Sequence, residues 1–145
     1  IDDMFEIRCA LEGLAIQLAI DRMDEEHLAK IKDVFELMEF YTLKKDQEKI
    51  NDLNILYHET IYQATQSQYF EQLLKDVHYY VSVTSRHSIT QPERLETAIQ
   101  EHRAILDSIV SGDKKLAKET IQKHIRKTQT LVRAYYANKK KKNDK

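Results

Sequence analysis

Asn54 and His58 are two polar residues four positions apart, in a stretch whose apolar residues recur at helical spacing. Residues i and i+4 are neighbours on a helix, with Cβ atoms roughly 5–6 Å apart, so the amide and the imidazole can reach the same ion or ligand. Both residues lie on the flank of an apolar stripe, which predicts that they are partly or fully buried. The pair is therefore a candidate for half of a binding site.

The chain contains six histidines, and three of them lie within or against apolar stripes on three different predicted helices: His58, His102 and His124. A single inward histidine is usually a core residue that one or two hydrogen bonds satisfy. Three of them change the interpretation, because facing helices of a bundle can bring ligands together and neutral imidazole is a common metal ligand. With Asn54 or a water as the fourth ligand, they would form a nitrogen-rich site for zinc, or for nickel or manganese.

The other three histidines have simpler interpretations. His27 falls in an exposed first turn and is expected to be solvated. His78 lies on the flank of the apolar stripe of its helix, and His87 lies near the end of that helix. Both are interpreted as structural residues.

The composition predicts an all-α domain. The chain has 145 residues, of which 41% are hydrophobic and 32% charged, as is usual for one domain with a real core. It contains only 2 glycines and 1 proline, far below the usual shares of roughly 7% and 5%. Because strand folds need frequent turn residues, we expect an all-α fold. Together with the inward histidines, this predicts a single antiparallel bundle of about six helices with a central pocket for a ligand or metal ion.

Start and stop signals divide the chain into these six helices. They are Asp24 as an N-cap, the polar breaks at 44–47 and 66–68, Pro92 in a first helical turn, and the Gly112-Asp113 stop and cap. In the first helix the apolar stripe of Met4, Ile7, Leu11, Leu14 and Leu18 is expected to face the core. Beside it, Arg8 and Glu12 are interpreted as a surface ion pair.

Charge and cysteine content limit the partners. A formal net charge of −1 gives no overall attraction to nucleic acid. The single cysteine, Cys9, cannot form an internal disulfide, and no apolar stretch approaches the ~20 residues of a membrane span, so a cytoplasmic protein without membrane contact is expected. Residues 1–138 are assigned to the domain, and the lysine-rich residues 139–145 to a flexible tail.

Short motifs follow one another along the whole chain: the segment 6–12, Asn54-x-x-x-His58, the segment 101–107 with Gly112-Asp113, and His124. This ordered set resembles the FadR-type C-terminal effector-binding domain (FCD) of GntR-family bacterial transcription regulators. The resemblance implies a ligand-sensing domain of a homodimer that is not an enzyme. It also implies that a winged helix-turn-helix domain precedes Ile1, and that DNA is bound only through that domain.

In the metal-binding branch of that family, the four ligands are an aspartate one turn before a histidine, and two further histidines. These map onto Asn54, His58, His102 and His124, so the asparagine is a departure from the pattern and removes an anionic ligand. The effector implied is a small organic acid. Arg8 and Arg86 are the residues predicted to bind its carboxylate by charge-assisted hydrogen bonds.

Two alternatives remain open at this point. A metal-dependent hydrolase would use a zinc-bound water as nucleophile, although no carboxylate is obviously placed as a general base near His58. A helical interaction module without a ligand would use the inward histidines only as hydrogen-bonding core residues.

Overall fold

The computed structural model describes residues 1–86 and 91–145, and every regular element in those two ranges is an α-helix. The helices are α1 (Asp2–Arg22), α2 (Glu25–Lys44), α3 (Gln47–Ala64), α4 (Gln68–Ser85), α5 (Pro92–Ser111) and α6 (Lys114–Asn143). The prediction of an all-α fold with six helices is confirmed.

Local sequence explains where these helices begin and end. Four N-cap side chains accept a hydrogen bond from a first-turn amide: Asp24, Asp46, Ser67 and Asp113. Asp24 also donates its amide to Nδ1 of His27, which completes a reciprocal capping box. Gly112 ends α5 with φ of 72°, a left-handed conformation that costs glycine little. Capping chemistry therefore accounts for the beginnings of α2, α3, α4 and α6 and for the end of α5.

The helices pack around one principal core. α1 packs against α6, α3 and α4, while α2 packs against α3 and α5, and α5 packs against α6. Tyr57 is fully buried at the centre, and its hydroxyl donates to the His102 carbonyl oxygen at 2.8 Å. This hydrogen bond joins α3 to α5 beside the candidate site.

The face of α1 that enters the core differs from the predicted stripe. Ile7 and Leu14 are each 46% exposed, and the buried apolar positions of α1 are instead Phe5, Cys9, Ala15, Ile16 and Ala19. α1 approaches α6 closely at Gly13, where an added Cβ atom would lie 2.5 Å from Nε2 of the Gln122 side chain. The face of α1 that enters the bundle thus combines Phe5 and Ile16 with small residues, and Ile7 and Leu14 face outward.

The last helix is longer than the sequence analysis predicts. α6 continues to Asn143 and includes most of the lysine-rich segment assigned to a tail, with exposed side chains. Lysine is a good helix former, and cations are favoured at the C-terminal end of the helix dipole. Within the two described ranges, none of the helices combines the length and apolar character needed to cross a membrane.

Candidate metal and ligand site

The structure brings His58 of α3, His102 of α5 and His124 of α6 together in the interior. The ring centroids of His58 lie 5.5 Å from those of His102 and His124, and the latter two are 4.6 Å apart. One potential ligand nitrogen from each ring lies within 4.8 Å of the others, and all three residues are buried. These three histidines can therefore hold a metal ion.

Two carboxylates orient two of these rings. Glu12 Oε1 lies 2.9 Å from Nδ1 of His58, and Glu101 Oε1 lies 2.7 Å from Nδ1 of His124. A carboxylate only accepts hydrogen bonds, so each Nδ1 carries a proton, and in the neutral form of either ring Nε2 is the nitrogen with the free lone pair. A carboxylate on the second ring nitrogen is the usual support for a metal-binding histidine.

Four buried polar atoms at this place have no hydrogen-bond partner among the described residues: Asn54 Oδ1, His58 Nε2, and both ring nitrogens of His102. An unpartnered buried polar atom typically costs about 1–3 kcal/mol. Asn54 Oδ1, His58 Nε2 and one of the two His102 ring nitrogens can offer lone pairs of the type that divalent transition metals bind, since a neutral imidazole keeps its proton on the other nitrogen. The donor set therefore fits a metal ion.

Arg8 and Glu12 form a buried ion pair, so their interpretation as a surface pair is wrong. The two residues are 4% and 1% exposed, and Arg8 Nε donates to Glu12 Oε2 at 2.7 Å. Tyr62 adds a hydroxyl hydrogen bond to Glu12 Oε1 at 2.5 Å. Burial alone would raise the pKa of Glu12, but the charge of Arg8 and the contact with His58 outweigh it and hold that pKa well below its ordinary value.

A second, partly buried ion pair contacts His124. Arg94 donates from Nη1 and Nη2 to the two oxygens of Glu101 at 2.5 and 3.0 Å, and Nη2 also donates to the Thr128 hydroxyl. Burial opposes ionisation of Glu101, but the hydrogen bonds from His124 and Arg94 lower its pKa to about 2. Each of the two oriented histidines therefore donates a hydrogen bond to a carboxylate whose charge is neutralised by an arginine.

A cavity of about 70 Å³ adjoins the histidine cluster. At roughly 10–15 Å³ for each water-sized group, it has room for a ligand of a few non-hydrogen atoms. Its polar walls come from arginine, histidine, amide and hydroxyl side chains, and no carboxylate is among the described lining residues: Arg8, Thr42, Gln47, Asn51, Asn54, His78, Ser82, Ser85, Arg94, His102, His124 and Thr128. The described wall of the cavity therefore contains two cationic side chains and no carboxylate.

The predicted residues are distributed unevenly around this cavity. Arg8, Asn54, His102 and His124 line it, and His58 lies beside them in the interior. Arg86 is exposed at the end of α4 and is not among the described lining residues.

Two residues of the cavity wall were missed by sequence reasoning. His78 was interpreted as structural, but it is buried with its ring centroid 4.8 Å from that of His58. It lies on the flank of an apolar stripe just as His58 does, so the same signal applied to it. Arg94 precedes Glu101 by seven residues, which places both on one face of α5. The prediction for His87 lies outside the described residues.

Acid is expected to destabilise the metal-free domain from about pH 6.5 downward. Burial lowers the pKa of His124 from 6.5 to about 4, and burial also lowers those of His78 and His102 well below 6.5. Between the ordinary and lowered values the unfolded chain binds protons that the folded chain does not, so stability falls as pH falls. Glu101 adds a further loss between 4.5 and about 2.

Each such group contributes a slope of about 1.4 kcal/mol per pH unit in its own window. Urea unfolding in EDTA at half-unit intervals from pH 7.5 to 4.5 measures this dependence. A free energy of unfolding that stays constant between pH 6.5 and 4.5 would contradict the buried neutral histidines.

The fold and site define a class of protein, a helical bundle with a buried histidine cluster, and comparison with known proteins identifies the family. Residues 3–127 match the FCD domain family. The chain therefore belongs to the FCD domain family.

One curated relative is the uncharacterized HTH-type transcriptional regulator YdhC of Bacillus subtilis. It is 30% identical over 126 residues, which cover 86% of this chain and 56% of the relative. The chain thus spans little more than half the length of that protein.

Solved structures of GntR-family regulators share the fold. Escherichia coli McbR/YncC has a TM-score of 0.84 at 19% identity, over 93% of this chain and 65% of the other. A GntR-family regulator from Pseudomonas syringae has a TM-score of 0.76 at 21% identity, over 97% and 58%. At these identities the likeness concerns the fold alone.

Proposed function

We propose that this chain is the ligand-sensing domain of a transcription regulator and that it binds a small organic acid together with a divalent metal ion. The observation that carries the proposal is the set of unpartnered, buried donor atoms on Asn54, His58 and His102 beside a cavity with two arginines in its wall. The donors suit zinc, nickel or manganese. The arginines suit a carboxylate.

His58, His102 and His124 would hold the metal ion through ring nitrogens, and the Asn54 amide oxygen would be a fourth, neutral ligand. Bound there, the ion would supply positive charge to attract the carboxylate of the acid. Glu12 and Glu101 fix the rings of His58 and His124, so that the nitrogens opposite these carboxylates remain available.

Arg8 is the proposed direct contact for the carboxylate. Arg8 donates its hydrogen bond to Glu12 from Nε, so this bond does not involve the two terminal guanidinium nitrogens. Arg94 also lines the cavity and takes the place that the sequence analysis assigned to Arg86, although both of its terminal nitrogens already bind Glu101.

Ligand binding at this place joins helices that are distant in sequence. The proposed contacts lie on α1, α3, α5 and α6, so a ligand changes how α1 sits against the rest of the bundle. A ligand shifts such an equilibrium only by its difference in affinity between two arrangements. We place the output in an upstream winged helix-turn-helix domain of a cytoplasmic homodimer, which reads two half-sites on DNA.

A thermal-shift screen of small carboxylic acids with added zinc tests the sensing function. We expect acids of about two to four carbons to raise the melting temperature of the wild-type chain. Arg8→Lys is expected to lose most of that shift, because an ammonium cannot form the planar, forked contact of a guanidinium. Arg86→Lys is the matched control and is expected to respond like the wild type.

The assignment of the pocket would be wrong if no acid stabilised the wild-type chain, or if Arg8→Lys and Arg86→Lys responded equally. Screening with and without EDTA separates metal-dependent stabilisation from direct binding to the arginines.

The two alternative functions have less support. A hydrolase needs a general base for the attacking water, and the described lining residues include no carboxylate, while Glu12 is engaged by His58, Arg8 and Tyr62. A ligand-free module would leave four buried polar atoms without partners at a cost in stability.

A further inference from the structure

The charges around the histidine cluster balance before any ligand binds. Arg8 pairs with Glu12 and Arg94 pairs with Glu101, so the two buried cations are neutralised by two carboxylates. Lys127 also approaches Glu101 at 3.3 Å from the surface. Among the residues that the structure describes, no negative charge is left over at the site to compensate a metal ion.

The candidate ligands carry no charge of their own. An imidazole that binds a metal ion through one ring nitrogen is neutral and keeps its proton on the other nitrogen, as His124 does where Nδ1 faces Glu101. Asn54 contributes an amide oxygen. A divalent ion bound by three imidazoles and an amide would therefore keep its full charge of +2 in the interior, where uncompensated charge is unfavourable.

The bound acid can supply the missing charge. Its carboxylate would enter a cavity whose wall already contains Arg8 and Arg94 but no described carboxylate. An anion in that cavity would bind more tightly when the metal ion is present, and the metal ion would bind more tightly when the anion is present. This electrostatic attraction does not require a conformational change.

We propose that Asn54 makes metal binding and acid binding depend on each other, so that the pocket takes up a cation and a carboxylate as a pair. The proposal rests on the function proposed above and concerns its regulation. The sensor then responds to the acid only when the metal is available. By thermodynamic linkage, the factor by which the acid raises metal affinity equals the factor by which the metal raises acid affinity.

Isothermal titration of the chain with zinc, in sodium acetate and in sodium perchlorate at equal ionic strength, tests this dependence. We expect acetate to raise the zinc affinity of the wild type at least about 10-fold, within the usual 5- to 150-fold range of coupling between sites. Asn54→Asp supplies the anionic ligand from the protein. We expect it to bind zinc more tightly in perchlorate and to gain less than about 3-fold from acetate.

Asn51→Asp is the matched control, because it adds the same charge to the same cavity wall at a side chain whose oxygen already accepts a hydrogen bond from Gln47. It is expected to retain most of the acetate effect. Weak complexation of free zinc by acetate is the same for all three proteins and cancels in the comparison.

The outcomes separate the two proposals. The coupling would be overturned if the wild type bound zinc but acetate did not raise its zinc affinity. It would also be overturned if acetate raised the zinc affinity of the wild type and of Asn54→Asp by the same factor. Either result would leave the metal site in place. Absence of zinc binding to the wild type in both media would overturn the metal-dependent function itself, and the coupling with it.

Discussion

Replacing Glu12 with alanine is expected to lower the free energy of unfolding by about 3–5 kcal/mol, the usual effect of removing one partner from a buried ion pair. Glu12 accepts hydrogen bonds from Arg8, His58 and Tyr62, so the substitution leaves a buried guanidinium uncompensated and two further donors without an acceptor. Urea unfolding in the presence of EDTA, followed by circular dichroism, measures the change without a contribution from metal.

Glu6→Ala is the matched control on the same helix. The Glu6 side chain is 53% exposed and pairs with Arg126, also at the surface. Exposed ion pairs contribute about 0–1 kcal/mol, so this variant is expected to unfold close to the wild-type midpoint. Equal losses in Glu12→Ala and Glu6→Ala would show that the buried network does not hold α1 to α3.

Replacing His102 with alanine is expected to weaken zinc binding by more than about 100-fold. Loss of an outer partner of a metal ligand already costs 10- to 100-fold, and His102 is a proposed ligand whose two ring nitrogens have no partner among the described residues. Competition titration against a zinc indicator in acetate buffer measures the affinity.

His27→Ala is the control for nonspecific binding by imidazole. His27 caps the start of α2 and lies outside the histidine cluster. It is expected to leave zinc affinity within about 2-fold of the wild type. If His102→Ala bound zinc as tightly as His27→Ala, the three-histidine site would be wrong.

The fold could be predicted from the sequence because its determinants are local. The scarcity of glycine and proline, the N-caps at Asp24 and Asp113 and the left-handed stop at Gly112 act within one turn of the chain. The convergence of His58, His102 and His124 was predictable for a related reason. A polar ring in an apolar stripe must enter the interior of a bundle.

Helix orientation and cross-helix pairing were not predictable in the same way. The sequence shows that Arg8 and Glu12 share a face, but their burial depends on how closely α1 approaches its neighbours, which Gly13 permits. Arg94 of α5 also donates to Thr128 of α6, and such a contact between helices has no periodicity along the chain.

The prediction of Arg86 as a contact for the effector was based on its charge and on the family resemblance. In the structure α4 ends at Ser85, and Arg86 is exposed as its C-cap residue. Arg94, near the beginning of α5, occupies the cavity wall instead.

The metal content of the wild-type chain after equilibrium dialysis against micromolar zinc in acetate buffer tests the central claim most directly. The buried donors of His58, His102 and His124 predict about one zinc ion per chain, and no more than a small fraction of that in His102→Ala dialysed in parallel. A wild-type chain that holds no more zinc than His102→Ala would contradict a metal-binding ligand sensor built on these three histidines.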